Sequence, residues 1–255
     1  MSLVNNITRF FKGISDSRGC SAVIAAAGSS QRMEGEDKLL FEIGGKPVLI
    51  HTLLAFQNCG CVNEVIVVVR AEHLEKIVEL CRLYGIDKAS KVMAGGGTRL
   101  ESVMNGVFAV SDGSGFIAIH DGARPCVESS VIEKTLAAAE KFHAAAPAIP
   151  VIPTLKRVDR KVIVETVDRE GLFEIQTPQI FDAGLIKAAL TKASKMAIDI
   201  TDDCMAAELI GTPVHITEGS ASNIKITTKC DLMIAEAIIK SQWKVESGKL
   251  KMENV

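Results

Sequence analysis

The hydrophobic positions of the chain fall into short apolar runs separated by longer amphipathic segments. The runs at 22–27, 64–70, 91–94 and 116–120 are rich in small and β-branched residues, as expected for strands buried on both faces of a parallel sheet. The segments between and after them repeat apolar residues every three or four positions, which predicts helices. These helices are expected at 47–58, 72–84, 98–110, 129–143, 183–194, 202–210 and 229–240.

Strands that alternate with helices imply right-handed crossovers and an open sheet covered on both faces. The fold class that this alternation predicts is α/β, a Rossmann-like three-layer fold with a mostly parallel sheet. In such sheets ligands bind beyond the carboxyl ends of the strands. Gly28, the Gly95–Gly97 turn and Asp121 all follow predicted strands, so we expect them at one edge.

The alternation is interrupted between residues 149 and 181. Two extended segments, IPVIPTLKRV and VIVETV, flank a polar turn at 159–161, and prolines lie at the root. This pattern predicts a β-hairpin arm rather than another strand and helix unit. We therefore expect a single domain at 19–243 that carries the arm, with a patternless leader at 1–18, either a frayed helix or disordered, and a polar tail at 244–255.

Composition excludes several classes of protein. The net charge is −2, with 29 basic and 31 acidic residues interspersed, so no broad field would attract nucleic acid or an anionic membrane. One Trp and one Tyr are too few for a platform that stacks bases. Seven cysteines without a CxxC pair suit a reducing cytoplasm. Apolar runs are all shorter than the ~20 residues of a membrane helix.

The first strand leads into a small, polar loop that contains candidate phosphate ligands. Gly28 lets the backbone turn, Arg32 offers a forked guanidinium and Lys38 a compact charge. The loop lacks G-x-G-x-x-G, and Gly45-Lys46 is followed by proline instead of the Ser or Thr of a P-loop. A polyphosphate site is therefore favoured over a dinucleotide fold or P-loop. The alternative is a surface turn whose cations are merely solvated.

Several segments in order resemble one enzyme family. The order of Gly28, Arg32, Lys38 and Gly45-Lys46-Pro47 is similar to the signature of sugar-phosphate nucleotidyltransferases. Within that superfamily the chain resembles the 2-C-methyl-D-erythritol 4-phosphate cytidylyltransferases, through the segments HDGARP (120–125), TVDREGL (166–172), QTPQ (176–179), ITDD (200–203) and NIKIT (223–227). The resemblance extends from about residue 21 to about residue 239. Where the family usually has a proline before the lysine of the first loop, this chain has Asp37.

The resemblance implies transfer of CMP from CTP to methylerythritol phosphate, with Mg²⁺ or another divalent cation as cofactor. Arg32, Lys38 and Lys225 are implied to be catalytic, by holding the triphosphate and the α-phosphate. An exposed lysine at a strand edge is the alternative for Lys225. The implied nucleotide-binding residues are Ala25, Ala26, Ala27, Gly28, Gly96, Gly97, Ser102, Asp121 and Gly122. A plain turn is the alternative for the three glycines.

The resemblance also implies an acceptor site and a dimer. The acceptor-binding residues would be Asp121, Arg124, Thr154, Arg169, Thr177, Thr201 and Lys225. The phosphates of CTP would supply most of the ligands of the magnesium ion, with Asp121 as a further candidate ligand. For Asp202 and Asp203 the preferred interpretation is that they cap the start of a helix, and metal binding is the alternative. In the family the arm crosses to a second subunit, which implies a homodimer with shared sites.

Two other functions remain open at this point. One is a cytidylyltransferase for another alditol phosphate, such as ribitol 5-phosphate, because its nucleotide half would look nearly the same. The other is a catalytically silent nucleotide-binding protein. ITDD and QTPQ favour methylerythritol phosphate as the acceptor, and the presence of Arg32, Lys38 and Lys225 favours catalysis.

Overall fold

The computed structural model describes residues 19–28 and 37–246, with side chains as far as residue 242. The strands are β1 (Cys20–Ala26), β2 (Glu42–Ile43), β3 (Lys46–Pro47), β4 (Val62–Val69), β5 (Ala89–Ala94), β6 (Phe116–Asp121), β7 (Ala144–Pro150), β8 (Leu155–Asp159), β9 (Val162–Val167), β10 (Phe173–Ile175), β11 (Gln179–Asp182) and β12 (His215–Glu218). The helices are α1 (Val48–Asn58), α2 (Leu74–Leu83), α3 (Arg99–Ala109), α4 (Ser129–Phe142), α5 (Ala183–Lys195), α6 (Asp203–Leu209) and α7 (Lys229–Glu246). A 3-10 turn (Ala71–His73) precedes α2.

A mixed sheet of eight strands forms the centre of the described residues. One half is parallel, in the order β6-β1-β4-β5. The run from Val65 to Val69 in β4 is buried because β4 lies between two neighbours and under helices on both faces. Two hydrophobic cores result, one containing α1, α2, α4 and α7 and the other α3, α5 and α6. The predicted α/β fold with a mostly parallel sheet is confirmed.

The other half of the sheet was only partly foreseen. β7 follows α4 directly, and its sequence AAAPAIP contains no β-branched residue before Ile149. β10 and β11 pair antiparallel with β7, and β11 pairs antiparallel with β6. β12 runs parallel to β7. The predicted arm at 149–181 is therefore shorter than expected, because both ends of that segment join the main sheet.

The arm itself is the separate two-stranded sheet of β8 and β9. Arg160 and Lys161 form its turn with positive φ values of 45° and 69°. Large apolar side chains in and beside it are exposed to solvent, among them Ile152 at 77%, Val162 at 64% and Ile163 at 62%. The other described residues of the chain leave these side chains uncovered.

The bounds of most predicted helices agree with the structure to within a few residues. α7 continues to Glu246, beyond the predicted end of this helix at 240, because the residues that follow include no glycine or proline before Glu246. The predicted leader at 1–18 lies outside the described residues, as does most of the predicted tail. Within the described part of the chain, no helix is both long enough and apolar enough to cross a bilayer.

Candidate active site

The carboxyl ends of β1, β4 and β6 meet at one edge of the sheet. Ala25 lies opposite Asp121 in β6, and Ala26 lies opposite Val69 in β4. The Gly122 N–H donates to the Ala25 carbonyl oxygen over 2.9 Å. A Cβ on Gly122 would lie 3.1 Å from the Cβ of Ala26, so glycine permits this close approach. Predicted nucleotide-binding residues from two strands are thus brought together.

Asp121 is the centre of a charged cluster at this edge. Lys225 Nζ lies 2.7 Å from Asp121 Oδ2, and Arg124 Nε lies 3.8 Å from the same oxygen. Burial alone would raise the pKa of Asp121, but the positive charges of Lys225, Arg99 and Arg124 outweigh it, so the pKa lies below its usual value. Asp121 is therefore ionised at neutral pH. Asp121 therefore pairs with both cations, and its pair with Lys225 is the shorter one.

Lys38 reaches the same cluster from the other end of the sequence. Its Nζ donates to the carbonyl oxygen of Ile226 over 2.8 Å, between residues 188 positions apart. The Ile226 N–H in turn donates to the Ala123 carbonyl oxygen over 2.8 Å. The NIKIT segment, which has no regular secondary structure, therefore connects Lys38 to the loop after β6. The other predicted cation, Arg32, lies outside the described residues.

The glycine turn after β5 packs against the end of β1. A Cβ on Gly95 would lie 2.5 Å from the Cβ of Ala27 and 2.6 Å from Ser102 Oγ, so only glycine fits. The Gly96 N–H donates to Ser102 Oγ over 3.1 Å, and the Gly97 N–H donates to Glu101 Oε2 over 2.7 Å. Thr98 and Glu101 also form a capping box at the start of α3. The turn is therefore a fixed structure beside Ala27, where a base could lie.

Two buried side chains hold the backbone of Asp121. The Asp121 N–H donates to Thr177 Oγ1 over 3.2 Å, and Thr177 Oγ1 lies 3.0 Å from His120 Nδ1. His120 Nε2 faces the Arg124 carbonyl oxygen at 3.3 Å, so Nε2 carries the proton and Nδ1 accepts from Thr177. Burial lowers the pKa of His120 to about 4. Neutral His120 is thus a packed neighbour of Asp121, and the Thr177 hydroxyl is engaged within the protein.

The TDD segment is fixed by one glutamine and one arginine. Gln179 Oε1 accepts from the backbone N–H groups of Asp203 and Cys204, at 2.9 and 3.0 Å. Arg99 forms two hydrogen bonds of 2.7 and 3.1 Å with the fully buried Asp203 carboxylate. Asp202 accepts from the Met205 N–H over 3.0 Å, which confirms its predicted role as a helix cap. Thr201, which precedes it, is exposed.

The predicted acceptor residues of the arm lie apart from this cluster. Thr154 and Arg169 are exposed, and Arg169 donates to the Ile152 carbonyl oxygen at the base of the arm. Among the described residues, neither side chain forms a hydrogen bond with Asp121, Arg124 or Lys225. Within one chain, the sheet edge with its cations and the arm with Thr154 and Arg169 are therefore separate.

Metal ligands are sparse at this edge. The described residues contain no group of three or more His, Cys, Asp or Glu side chains suited to hold a metal ion. Asp121 is one ionised carboxylate, and its partners are cations. A divalent ion with oxygen ligands would therefore need most of them from a bound polyphosphate.

Four residues of the site were not among the predicted catalytic or binding residues. Gly95 brings the glycine turn against β1, Arg99 and Gln179 fix the start of α6, and Asn223 is fully buried. The Asn223 Nδ2 donates to the Thr177 carbonyl oxygen over 2.9 Å. Gln179 and Asn223 lie inside QTPQ and NIKIT, two of the segments that carry the family resemblance. The resemblance marks these segments, but it does not show which contacts the two side chains make.

Comparison with known proteins agrees with this geometry. The family model described as 2-C-methyl-D-erythritol 4-phosphate cytidylyltransferase matches residues 20–241. The chain is similar to proteins of that name from Halalkalibacterium halodurans, with 44% identity over 86% of this chain and 96% of that one, and from Dehalococcoides mccartyi, with 42% identity over 86% and 95%.

Solved structures give the same answer. The fold is similar to the 4-diphosphocytidyl-2C-methyl-D-erythritol synthase of Anaerococcus prevotii, with a TM-score of 0.77, 32% identity, and coverage of 88% of this chain and 100% of that one. It is also similar to the 2-C-methyl-D-erythritol 4-phosphate cytidylyltransferase of Thermus thermophilus, with a TM-score of 0.74, 32% identity, and coverage of 86% and 98%. The chain therefore belongs to the 2-C-methyl-D-erythritol 4-phosphate cytidylyltransferase family.

Proposed function

We propose that this protein transfers CMP from CTP to 2-C-methyl-D-erythritol 4-phosphate, giving 4-diphosphocytidyl-2-C-methyl-D-erythritol and pyrophosphate in non-mevalonate isoprenoid precursor synthesis. One observation carries the proposal. Lys38 and Lys225 come from opposite ends of the sequence to the strand edge that bears Asp121. Such a cluster of cations suits a reaction between two anions, and membership of the family identifies the anions.

The reaction requires in-line attack by an acceptor phosphate oxygen on the α-phosphorus of CTP, with pyrophosphate as the leaving group. No side-chain nucleophile is needed, because catalysis consists of positioning and of neutralising charge. Lys38 and Lys225 would contact the α-phosphate and its neighbours, and Arg32 would assist them. The 2.7 Å ion pair with Asp121 holds the Lys225 ammonium at the strand edge before substrate arrives.

The cytidine would lie between the end of β1 and the glycine turn. Ala25, Ala26, Ala27 and Gly28 offer backbone groups on one side, and Gly96, Gly97 and Ser102 lie on the other. A pocket lined by backbone leaves little room for a purine, and carbonyl oxygens can accept from the exocyclic amine of cytosine. Asp121 and Gly122 would contact the ribose.

The acceptor would bind beside Asp121, where Arg124 and Thr201 can meet its phosphate and hydroxyl groups. Thr177 would act by fixing the Asp121 backbone, and Thr154 and Arg169 would come from an arm. A magnesium ion would be held by CTP phosphates and by Asp121, and when bound it would neutralise charge on the triphosphate. Lys225 could then exchange Asp121 for a phosphate oxygen.

The test is release of pyrophosphate with CTP, magnesium and a panel of acceptors. Methylerythritol phosphate should turn over fastest, and UTP or ATP should not replace CTP. Faster turnover of ribitol 5-phosphate would overturn the assigned acceptor. Absence of release with every acceptor would favour a silent nucleotide-binding protein.

We also propose that the active protein is a homodimer whose arms are exchanged. The support is that, among the described strands, β8 and β9 pair only with each other, and that they expose Val158, Val162, Ile163 and Val164 at 54 to 64%. Apolar surface of this kind is expected to be covered by a partner. In a two-fold dimer each arm would bring Thr154 and Arg169 to the other subunit's site.

Mixed dimers test the exchange. Arg169→Ala should weaken acceptor binding, and Lys38→Ala should abolish catalysis. In a heterodimer of the two variants, one site collects both defects and the other collects neither, so each heterodimer should have up to about half of the activity of a wild-type dimer. An inactive mixture, after subunit exchange has been verified, would mean that the arm serves its own chain.

A further inference from the structure

The residue before Lys38 is an aspartate with a fixed environment. Asp37 has a side chain that is only 7% exposed, and its Oδ2 lies 2.7 Å from Arg70 NH2 and 3.0 Å from His73 Nε2. Its Oδ1 accepts from the backbone N–H of Leu39 over 3.1 Å. Both carboxylate oxygens are therefore engaged, one by the two side chains that follow β4 and the other by the backbone of its own segment.

Arg70 connects this carboxylate to a rigid strand. It directly follows β4, which is buried between β1 and β5, and it also contacts Glu72 Oε1 at 3.2 Å. Asp37 and Arg70 are 33 residues apart in sequence, so the ion pair joins the end of the predicted phosphate loop to the central sheet. Paired and largely buried charges of this kind are costly to separate.

Lys38 lies between two anchors. On one side is Asp37, whose carbonyl oxygen also accepts from the Leu40 N–H over 2.9 Å. On the other is Leu39, which is 5% exposed in the core and whose carbonyl oxygen accepts from the Leu49 N–H over 3.0 Å. The direction in which the Lys38 side chain leaves the backbone is set by these two neighbours.

The pairing also has an electrostatic consequence. An unpaired carboxylate next to Lys38 would compete with phosphate oxygens for the lysine ammonium, because opposite charges at about 4 Å attract strongly at a protein surface. Arg70 and His73, which follow β4, instead pair with the Asp37 carboxylate and keep it away from the Lys38 ammonium. The Lys38 ammonium is then directed to the Ile226 carbonyl oxygen, next to Lys225.

We propose that Asp37, held by Arg70, is a positioning residue for the Lys38 ammonium. This inference rests on the proposed function of Lys38, and it assigns to Asp37 and Arg70 no contact with substrate. Two consequences follow. Loss of the Asp37–Arg70 pair should lower turnover only while Lys38 is present, and it should loosen the backbone at Leu39 and Leu40 whatever the protein catalyses.

The kinetic test is a double-mutant cycle. Asp37→Ala and Arg70→Met should each lower kcat by about 10-fold with less than about 3-fold change in the KM for CTP. In a Lys38→Ala background the same changes should cost less than about 2-fold, because coupled residues are not additive. Asp112→Ala and Arg82→Met, at exposed positions elsewhere, are the matched controls and should leave kcat unchanged.

The structural test needs no activity. In hydrogen exchange, the Arg70→Met variant keeps the Asp37 oxygen that accepts from Leu39, so faster exchange at Leu39 and Leu40 reports the lost anchor alone. Exchange in β4 should be unchanged. Unaltered exchange at Leu39 and Leu40, or equal kcat losses with and without Lys38, would overturn the proposal. Absence of cytidylyl transfer by the wild-type protein would overturn the proposed function instead, and the exchange result would still decide the role of Asp37 as an anchor.

Discussion

The ion pair between Arg99 and Asp203 allows a prediction of how much stability is lost when Arg99 is removed. Asp203 is fully buried, and 31% of the Arg99 side chain is exposed. Arg99→Ala would leave the Asp203 carboxylate without its two hydrogen bonds from the guanidinium. Breaking a buried pair in this way costs about 3 to 5 kcal/mol. We expect the lower end, about 3 kcal/mol, because water can enter where Arg99 was.

Thermal unfolding measures this cost. For a chain of this size about 1 kcal/mol corresponds to about 2–4 °C, so the midpoint of Arg99→Ala should fall by about 6–12 °C. Lys134→Ala removes the 2.9 Å pair with Glu218, in which both side chains are more than half exposed, and should shift the midpoint by less than about 3 °C. The double variant Arg99→Met with Asp203→Leu should recover most of the loss. Equal midpoints for Arg99→Ala and wild type would refute the reasoning.

Three other predictions concern the site and its surroundings. Lys225→Met should lower kcat by about 100-fold, like loss of one preorganised donor, and near-normal turnover would remove Lys225 from the mechanism. Gly96→Ala would place a Cβ 2.4 Å from that of Glu101, so the KM for CTP should rise by about 10-fold; an unchanged KM would argue against a base pocket there. Burial lowers the pKa of His120 to about 4 in the folded protein, from about 6.5 in the unfolded chain. Between pH 6.5 and pH 4 the unfolded state therefore binds a proton that the folded state does not. The free energy of unfolding should therefore fall by about 3 kcal/mol more in wild type than in His120→Gln as the pH drops from 6.5 to 4, and parallel curves would contradict this.

The parallel half of the sheet could be predicted because its strands are buried on both faces. Such strands are uniformly apolar, and β4 is visible in the sequence for this reason. β7 could not be predicted, since alanine and proline are poor strand formers and only its neighbours hold AAAPAIP in the sheet. The ends of the predicted arm were misassigned for the same reason, because pairing with β7 decides where β10 and β11 lie.

The site was predictable in part. The rule that ligands bind at strand ends placed Gly28, Gly95 and Asp121 at one edge. It could not show that Lys225 would meet Asp121 at 2.7 Å, which depends on a long-range approach of the NIKIT segment. The Asp37–Arg70 contact was also invisible, because two charged residues 33 positions apart carry no local pattern.

The fate of the α-phosphate distinguishes cytidylyl transfer from other reactions of CTP. The wild-type protein would be incubated with methylerythritol phosphate, magnesium and CTP that carries radioactive phosphorus at either the α or the γ position. We expect the α label to enter a cytidine diphosphate ester of the acceptor, while the γ label leaves in pyrophosphate. Release of the α label as free CMP, or transfer of the γ label to the acceptor, would contradict cytidylyl transfer at the edge formed by Lys38, Asp121 and Lys225.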